Sequence, residues 1–297
     1  MWNAMARSLE EGLAGRRVLI TGAARSIGAA LAKRLHAHGA KVGLLGLERE
    51  LLEQVATACG NAPWRYCDVR DHTQVDTAVA GIVGELGGLD VVIANAGVGA
   101  QLPMLGGDPA VMRRIVDVNL MGTYYTLRAA GEHIGHRDGY ALIITSGAVG
   151  AQLPLLGAYS ATAAAAEALG NTLRVEMRHL GTRVGVGYLG EIDTDMISIG
   201  FDTAAADKIK WSGMFTAMSP LEVAITAFEK GIARRRKRIY APGWVGGLLH
   251  CRMAAQRIVE LRPQPHMAQA LAIARTEHTR YTTAQPELPL RLSDSAR

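Results

Sequence analysis

The sequence predicts an α/β fold built on one parallel sheet with helices over both of its faces. Three observations carry this. Seven short apolar runs alternate with longer segments of helical period, from Val18–Thr21 through to Ile239–Ala241. Most runs are continuously apolar rather than alternating, which is the pattern of strands buried on both sides. Between the first run and the first helical segment stands a glycine turn, Thr21-Gly22-Ala23-Ala24-Arg25-Ser26-Ile27-Gly28. Such an alternation resolves into a doubly wound, Rossmann-type sheet.

In chain order, strands are expected at Val18–Thr21, Val42–Leu45, Trp64–Cys67, Val91–Ala94, Tyr140–Thr145, Val184–Leu189 and Ile239–Ala241. Helices are expected at Ile27–His38, Arg49–Cys59, Val75–Leu86, Val111–Glu132, Ser160–Leu180 and Leu221–Ala233. One domain then covers residues 15–241, with an arm at 1–14 and an extension at 242–297. In the extension, Trp244–Leu261 can form a helix. Thr282–Arg297 is polar and contains proline, and reads as a flexible arm or as a clamp on another subunit.

Composition narrows the function classes. A chain of 297 residues that is 49% hydrophobic has enough apolar material for one sizeable core. No apolar run approaches the roughly 18 residues of a membrane span, and Met1–Ala14 lacks the apolar stretch of a secretory leader. A cytoplasmic location is expected. Cys59, Cys67 and Cys251 make neither an even disulfide set nor a metal-ligand spacing, so reduced structural thiols and no metal are expected. The net charge of +5 is concentrated in Arg234–Arg238. That run carries no interleaved aromatics for base stacking, so it reads as a solvated turn before a strand rather than a nucleic-acid or membrane contact.

The glycine turn has a mechanical logic. Gly22 permits a tight turn, Gly28 permits close approach of helix and backbone, and the amides at the helix start then face an anion such as a pyrophosphate. Further on, Ser146 closes one apolar run and Tyr159 opens an alanine-rich helix, so two hydroxyls converge. Asn119 sits mid-helix in Val116-Asp117-Val118-Asn119-Leu120, where asparagine is disfavoured.

These residues together resemble the short-chain dehydrogenase/reductase family. The glycine turn is similar to its T-G-x-x-x-G-x-G fingerprint, with Ser26 at the middle glycine. Asp68-Val69 resembles its adenine-holding pair, and Asn95-Ala96-Gly97 its N-N-A-G motif with Ala94 in first place. Gly190, Ile192 and Thr194 resemble the P-G-x-x-x-T segment beside the nicotinamide, with Leu189 for the proline. Ser146 and Tyr159 match the family's Ser and Tyr-x-x-x-Lys, but the lysine position holds Ala163.

The resemblance implies carbonyl/alcohol interconversion with a nicotinamide dinucleotide. Tyr159 would be the general acid/base, Ser146 the hydrogen bond to the substrate oxygen, and Asn119 the organiser of a water relay. Thr21, Gly22, Arg25, Ser26, Ile27, Gly28, Gly46, Asp68, Val69, Asn95, Ala96, Gly97, Tyr159, Gly190, Ile192 and Thr194 would line the cofactor. Gly46 stands where members preferring NAD carry aspartate. Arg25 and Arg49 suit a 2′-phosphate while Glu48 opposes it, and the balance favours NADP(H) over NAD(H). The lid region, about 193–218, holds Ile199, Phe201, Trp211, Met214 and Phe215, which suits a hydrophobic small molecule. Pairing of subunits through Val111–Glu132 and Ser160–Leu180 into a dimer or tetramer is expected.

Ala163 keeps other accounts open. Residues 160–173 contain neither lysine nor arginine, so no neighbour one turn away restores the cation. The chain is then a substituted variant of an ordinary enzyme, an enzyme with slow or altered chemistry, or a dinucleotide-binding pseudoenzyme. Non-redox catalysis in the same pocket is a further alternative.

Overall fold

The computed structural model describes residues 9–209, 217–278 and 280–287. Its strands are β1 Arg17–Thr21, β2 Lys41–Gly46, β3 Trp64–Tyr66, β4 Val91–Ala94, β5 Tyr140–Ser146, β6 Arg183–Leu189 and β7 Arg238–Ala241. All pair in parallel, in the order β3-β2-β1-β4-β5-β6-β7. Each lies within one residue of the expected run at either end.

The helices are α1 Ser26–Ala37, α2 Arg49–Ala58, α3 His72–Leu86, α4 over 109–131, α5 Gly157–Glu176, α6 Asp195–Gly200, α7 Ala204–Ile209, α8 Leu221–Ala233, α9 Trp244–His250, α10 Arg252–Leu261 and α11 Met267–Ala274. Local chemistry sets their ends. Asp71 caps α3 by accepting from the amides of Thr73 and Gln74, and Gly87 closes it with φ +73°. Asp108 caps α4, and Pro109 occupies its first turn, where the missing N–H costs nothing.

The period of two along β1 divides the core. Val18 and Ile20 pack with Leu31 and Leu35 of α1 and with Phe228 and Ile232 of α8. Leu19 faces the other way, into Val75, Val79 and Ile82 of α3 and Ile115 and Leu127 of α4. Both faces of the sheet are therefore covered, as the apolar runs require.

Three regions differ from expectation for identifiable reasons. Within the expected arm, residues 9–13 are helical, with Leu9 and Leu13 buried in the core. The expected helix Trp244–Leu261 is two helices meeting at Cys251 (φ −105°, ψ 25°). The two have different anchors, Val245 of α9 on Val186 and Tyr188 of β6, and Ala255 and Val259 of α10 on Ala151. The lid region forms α6 and α7, while Trp211, Met214 and Phe215 lie outside the described residues.

Arg234–Lys237 forms the turn into β7, at the end of the sheet away from the strands' C-termini. Its backbone is tied in by Tyr140 Oη on Arg236 O at 2.7 Å and by Arg174 on Lys237 O at 3.3 Å. Cys59 and Cys67 are buried and Cys251 is exposed, all three as free thiols. Burial pushes the Cys67 thiol up to about 12. No helix among the described residues is long and apolar enough to cross a membrane.

Candidate active site

Strand order reverses between β1 and β4, and a cleft opens beyond their C-terminal ends, where doubly wound sheets bind ligands. Its floor is stitched by two of the expected cofactor residues. Thr21 Oγ1 accepts from the amides of Asn95 (3.1 Å) and Ala96 (3.2 Å), and Asn95 Nδ2 donates to the carbonyls of Thr21 (2.9 Å) and Gly22 (3.2 Å). Both side chains are thus spent on joining the two strand ends.

Helix α1 starts hard against this floor. A Cβ on Gly28 would stand 2.1 Å from Gly22 O, and one on Gly22 would stand 2.8 Å from Ala96 Cα. Gly22 has φ +65° and Ser26 φ +46°. The family pattern has glycine at position 26, and the left-handed backbone here is the physical reason. Arg25, the residue before α1, makes no side-chain cap, and the first turn holds no acidic residue. Unpaired amides with no competing carboxylate on a bare glycine floor fit a dinucleotide pyrophosphate.

Beside that floor, Gly46 and Glu48 line the cleft after β2. Arg25 is not free there. It makes a bidentate ion pair with Glu48 and a second contact with Asp195 at 3.1 Å. Asp68 is likewise engaged, with both carboxylate oxygens held by the buried Arg70 guanidinium at 2.6–3.1 Å. Val69 packs against Gly122 of α4.

Asn119 answers the question its position raised. Helix α4 widens into a π-helical turn over Val116–Gly122. The Asn119 amide reads the backbone of Val98 in both directions, accepting from its N–H at 2.8 Å and donating to its C=O at 2.9 Å. A longer contact of 3.4 Å reaches Thr162 on α5. The residue's own carbonyl accepts from Thr123 Oγ1 at 2.8 Å. Asn119 thereby fixes Asn95-Ala96-Gly97 relative to α4 and α5.

Ser146 ends β5 and Tyr159 sits in the first turn of α5. Both line the cleft, and both also line an adjoining, mainly apolar compartment with Leu153, Leu155, Leu156, Ile197, Phe201 and Leu248. The Tyr159 ring meets Phe201 edge-on at 5.3 Å. Burial raises the phenol above its ordinary value of 10, and the Ser146 hydroxyl beside it pulls the other way without cancelling the rise. Gly190, Ile192 and Thr194 line the cleft's far end, with Thr194 Oγ1 on Ile192 O at 3.1 Å.

Ala163 is buried at the cleft wall, and its carbonyl accepts from Thr145 Oγ1 at 3.1 Å. Among the described residues lining the cleft, Arg25 is the only lysine or arginine, and its charge is committed to Glu48 and Asp195. No displaced cation stands in for the missing lysine among them.

Some lining residues carried no sequence signal. Thr282, Thr283 and Gln285 come back from the C-terminal extension to line the cleft. A polar segment without periodicity gives nothing to read. Glu191 lines the apolar compartment, and burial raises its carboxyl. Arg70 was readable only as a charge next to Asp68.

The sheet order and the glycine-floored cleft are those of a nucleotide-binding oxidoreductase. The family model for short chain dehydrogenases matches residues 16–202, and the chain belongs to this family, whose members are dehydrogenases and reductases using NAD(P). It is 37% identical over 194 residues to sorbose reductase sou1 of Schizosaccharomyces pombe, covering 62% of this chain and 76% of that one. A hydroxysteroid 11-beta-dehydrogenase 1-like protein of Gallus gallus is 29% identical over 79% of this chain and 81% of its own length. Among solved structures, a dehydrogenase/reductase from Sinorhizobium meliloti superposes with a TM-score of 0.67 at 26% identity, over 80% of this chain and 98% of the other.

The left-handed backbone at Ser26 makes a stability prediction. Ser26→Gly removes a Cβ penalty and adds some unfolded-state freedom, for a net gain of about 0.5–1 kcal/mol. Thermal unfolding reads this as a higher midpoint, and a lower midpoint contradicts strain at this residue.

Proposed function

We propose that this protein interconverts a carbonyl and an alcohol on a hydrophobic small molecule, using NADP(H) in preference to NAD(H). The observation that carries the reading is the shared position of Ser146 and Tyr159 at the junction of a dinucleotide-type cleft and an apolar compartment. A dinucleotide held here would give a hydride from its reduced nicotinamide to the carbonyl carbon, or take one from the alcohol carbon when oxidised. The chain's residues handle the proton and the placement. In reduction the neutral Tyr159 phenol donates its proton to the carbonyl oxygen, while the Ser146 hydroxyl holds that oxygen by a hydrogen bond. In oxidation the phenolate form takes the alcohol proton. Asn119 organises a relay water between the site and solvent, as the family resemblance implies. Gly22, Ser26, Ile27 and Gly28 hold the phosphates, Asp68 and Val69 flank the base, and Asn95, Ala96, Gly97, Gly190, Ile192 and Thr194 flank the riboses and nicotinamide.

Ala163 sets the direction of the pH dependence. The raised phenol is protonated at neutral pH, so reduction proceeds with the form that dominates. Oxidation needs the minority phenolate, and its rate is expected to climb through pH 10 rather than level off below it. Ala163→Lys places a cation near the phenol and lowers its value. A drop of two units means about a hundredfold more phenolate at neutral pH, and the oxidation rate at pH 7 should rise by about 10- to 100-fold. Initial rates against pH in both directions check this. If the variant gains nothing while its fold and cofactor affinity hold, the second reading leads: a dinucleotide-binding protein without turnover, which Ala163 itself favours.

Cofactor preference turns on the Arg25–Glu48 pair. Gly46 presents no carboxylate to a 2′-phosphate, but Glu48 competes for Arg25, the guanidinium that lines the cleft there. NADPH is expected to bind more tightly than NADH. In Glu48→Gln that preference should widen by about tenfold as Arg25 is released, the scale of one charge-assisted hydrogen bond. Calorimetry with both cofactors decides, and tighter NADH in both proteins overturns the NADP(H) assignment.

The outward residues Tyr124 of α4 and Ala161, Ala164 and Val175 of α5 are exposed, and we place pairing of two copies on that face. Light scattering at micromolar concentration tests it, and a monomer contradicts it.

A further inference from the structure

The C-terminal extension returns to the cleft over residues 280–287, and three independent contacts hold it there. Tyr281 packs into the core cluster formed by α3, α4 and their strands. Thr283 Oγ1 donates to Glu48 Oε2 at 3.2 Å, at the end of β2. Pro286 O accepts from Arg70 at 2.5 Å and from Arg114 at 3.2 Å. Arg70 is the same guanidinium that holds Asp68, so one buried cation joins the strap to the adenine end of the cleft.

Within this segment Gln285 lines the cleft with half of its amide unused. Nε2 donates to Thr283 O at 3.0 Å. A carbonyl is an acceptor only, so this contact fixes which end of the amide is which. The other end, Oε1, is buried and has no hydrogen-bond partner among the described residues. Meanwhile both oxygens of Asp68, the expected adenine acceptor, are already taken by Arg70. The adenine end of the cleft therefore holds an occupied carboxylate and a vacant amide acceptor.

We propose that residues 281–287 form a strap closing over the adenosine end of the dinucleotide, in which Gln285 accepts a hydrogen bond from the exocyclic amine of adenine. The strap thus belongs to the cofactor site and controls how fast the cofactor leaves. This rests on the dinucleotide reading above and extends it to the base. The ligand class is an adenine dinucleotide, as distinct from one whose base carries a carbonyl at that position.

The test is binding rather than turnover, on the full chain. NADPH is compared by calorimetry with its hypoxanthine analogue, which replaces the amine with an oxo group. The native chain should prefer the adenine form by about fivefold to tenfold, one hydrogen bond's worth. Gln285→Ala should weaken NADPH by about that factor, leave the hypoxanthine analogue unchanged and so erase the discrimination. A second variant ending at residue 279 should release NADPH about tenfold faster or more, followed by displacement in a stopped-flow fluorimeter. Discrimination that survives intact in Gln285→Ala assigns the amine to another acceptor and overturns the inference, as does an unchanged release rate in the shortened chain. If neither nucleotide binds the native protein, the dinucleotide reading itself falls and the strap falls with it. Tight NADPH binding that ignores both variants sinks the strap alone.

Discussion

Helix α1 begins against the carbonyl of Gly22, at a distance that leaves no room for a side chain at position 28. Much of the site follows from that contact. It places the amides of the first helical turn over the gap between β1 and β4. It also needs the strand ends locked, which Thr21 and Asn95 do by exchanging hydrogen bonds across the gap. Asn119 then ties the loop after β4 to α4 and α5, carrying the placement outward to Tyr159. Several side chains that look like ligand contacts in sequence are thus joints of the frame. At the glycine floor they leave no room for a side chain on Gly22 or Gly28, as close approach to a phosphate requires.

The same frame explains why an alanine at position 163 leaves the walls of the site in place. Ala163 is buried, and its carbonyl takes the Thr145 hydroxyl, so the helix keeps its seat on β5. What alanine does not supply is a charge. A phenol in a partly desolvated wall with no nearby free cation among the described lining residues stays protonated, and its acidity is set by burial and by Ser146 alone. Geometry and charge are separable here: the hydroxyl pair is placed by α5 and β5, whereas the ionisation of the phenol follows from its burial and from Ser146.

The strands, the glycine turn and the Ser146–Tyr159 convergence were legible in the sequence because each is written in neighbouring residues. Apolar runs of a few residues gave the strand ends to within one position. The π-helical turn was foreshadowed by one asparagine in a helical stretch. Partnerships were not legible. In sequence Arg25 suits a 2′-phosphate and Asp68 resembles an adenine-holding residue, yet each is engaged by a partner, Glu48 and Arg70, that the sequence presents only as another charge. The return of Thr283 and Pro286, to Glu48 and Arg70, joins residues more than 200 positions apart, and a polar tail carries no period to announce it. Local propensity reports where a chain turns, and long-range pairing reports what its charges are for.

The proposed dinucleotide lies in this cleft with its reactive end at Tyr159, although position 163 holds alanine. The most direct measurement is a crystal structure of the native chain with NADP⁺ bound. The account predicts a pyrophosphate on the amides of Ser26 and Ile27, and a nicotinamide ring between Thr194 and the Tyr159 hydroxyl. A cleft that stays empty at saturating dinucleotide, or a nicotinamide turned away from Tyr159, would contradict it.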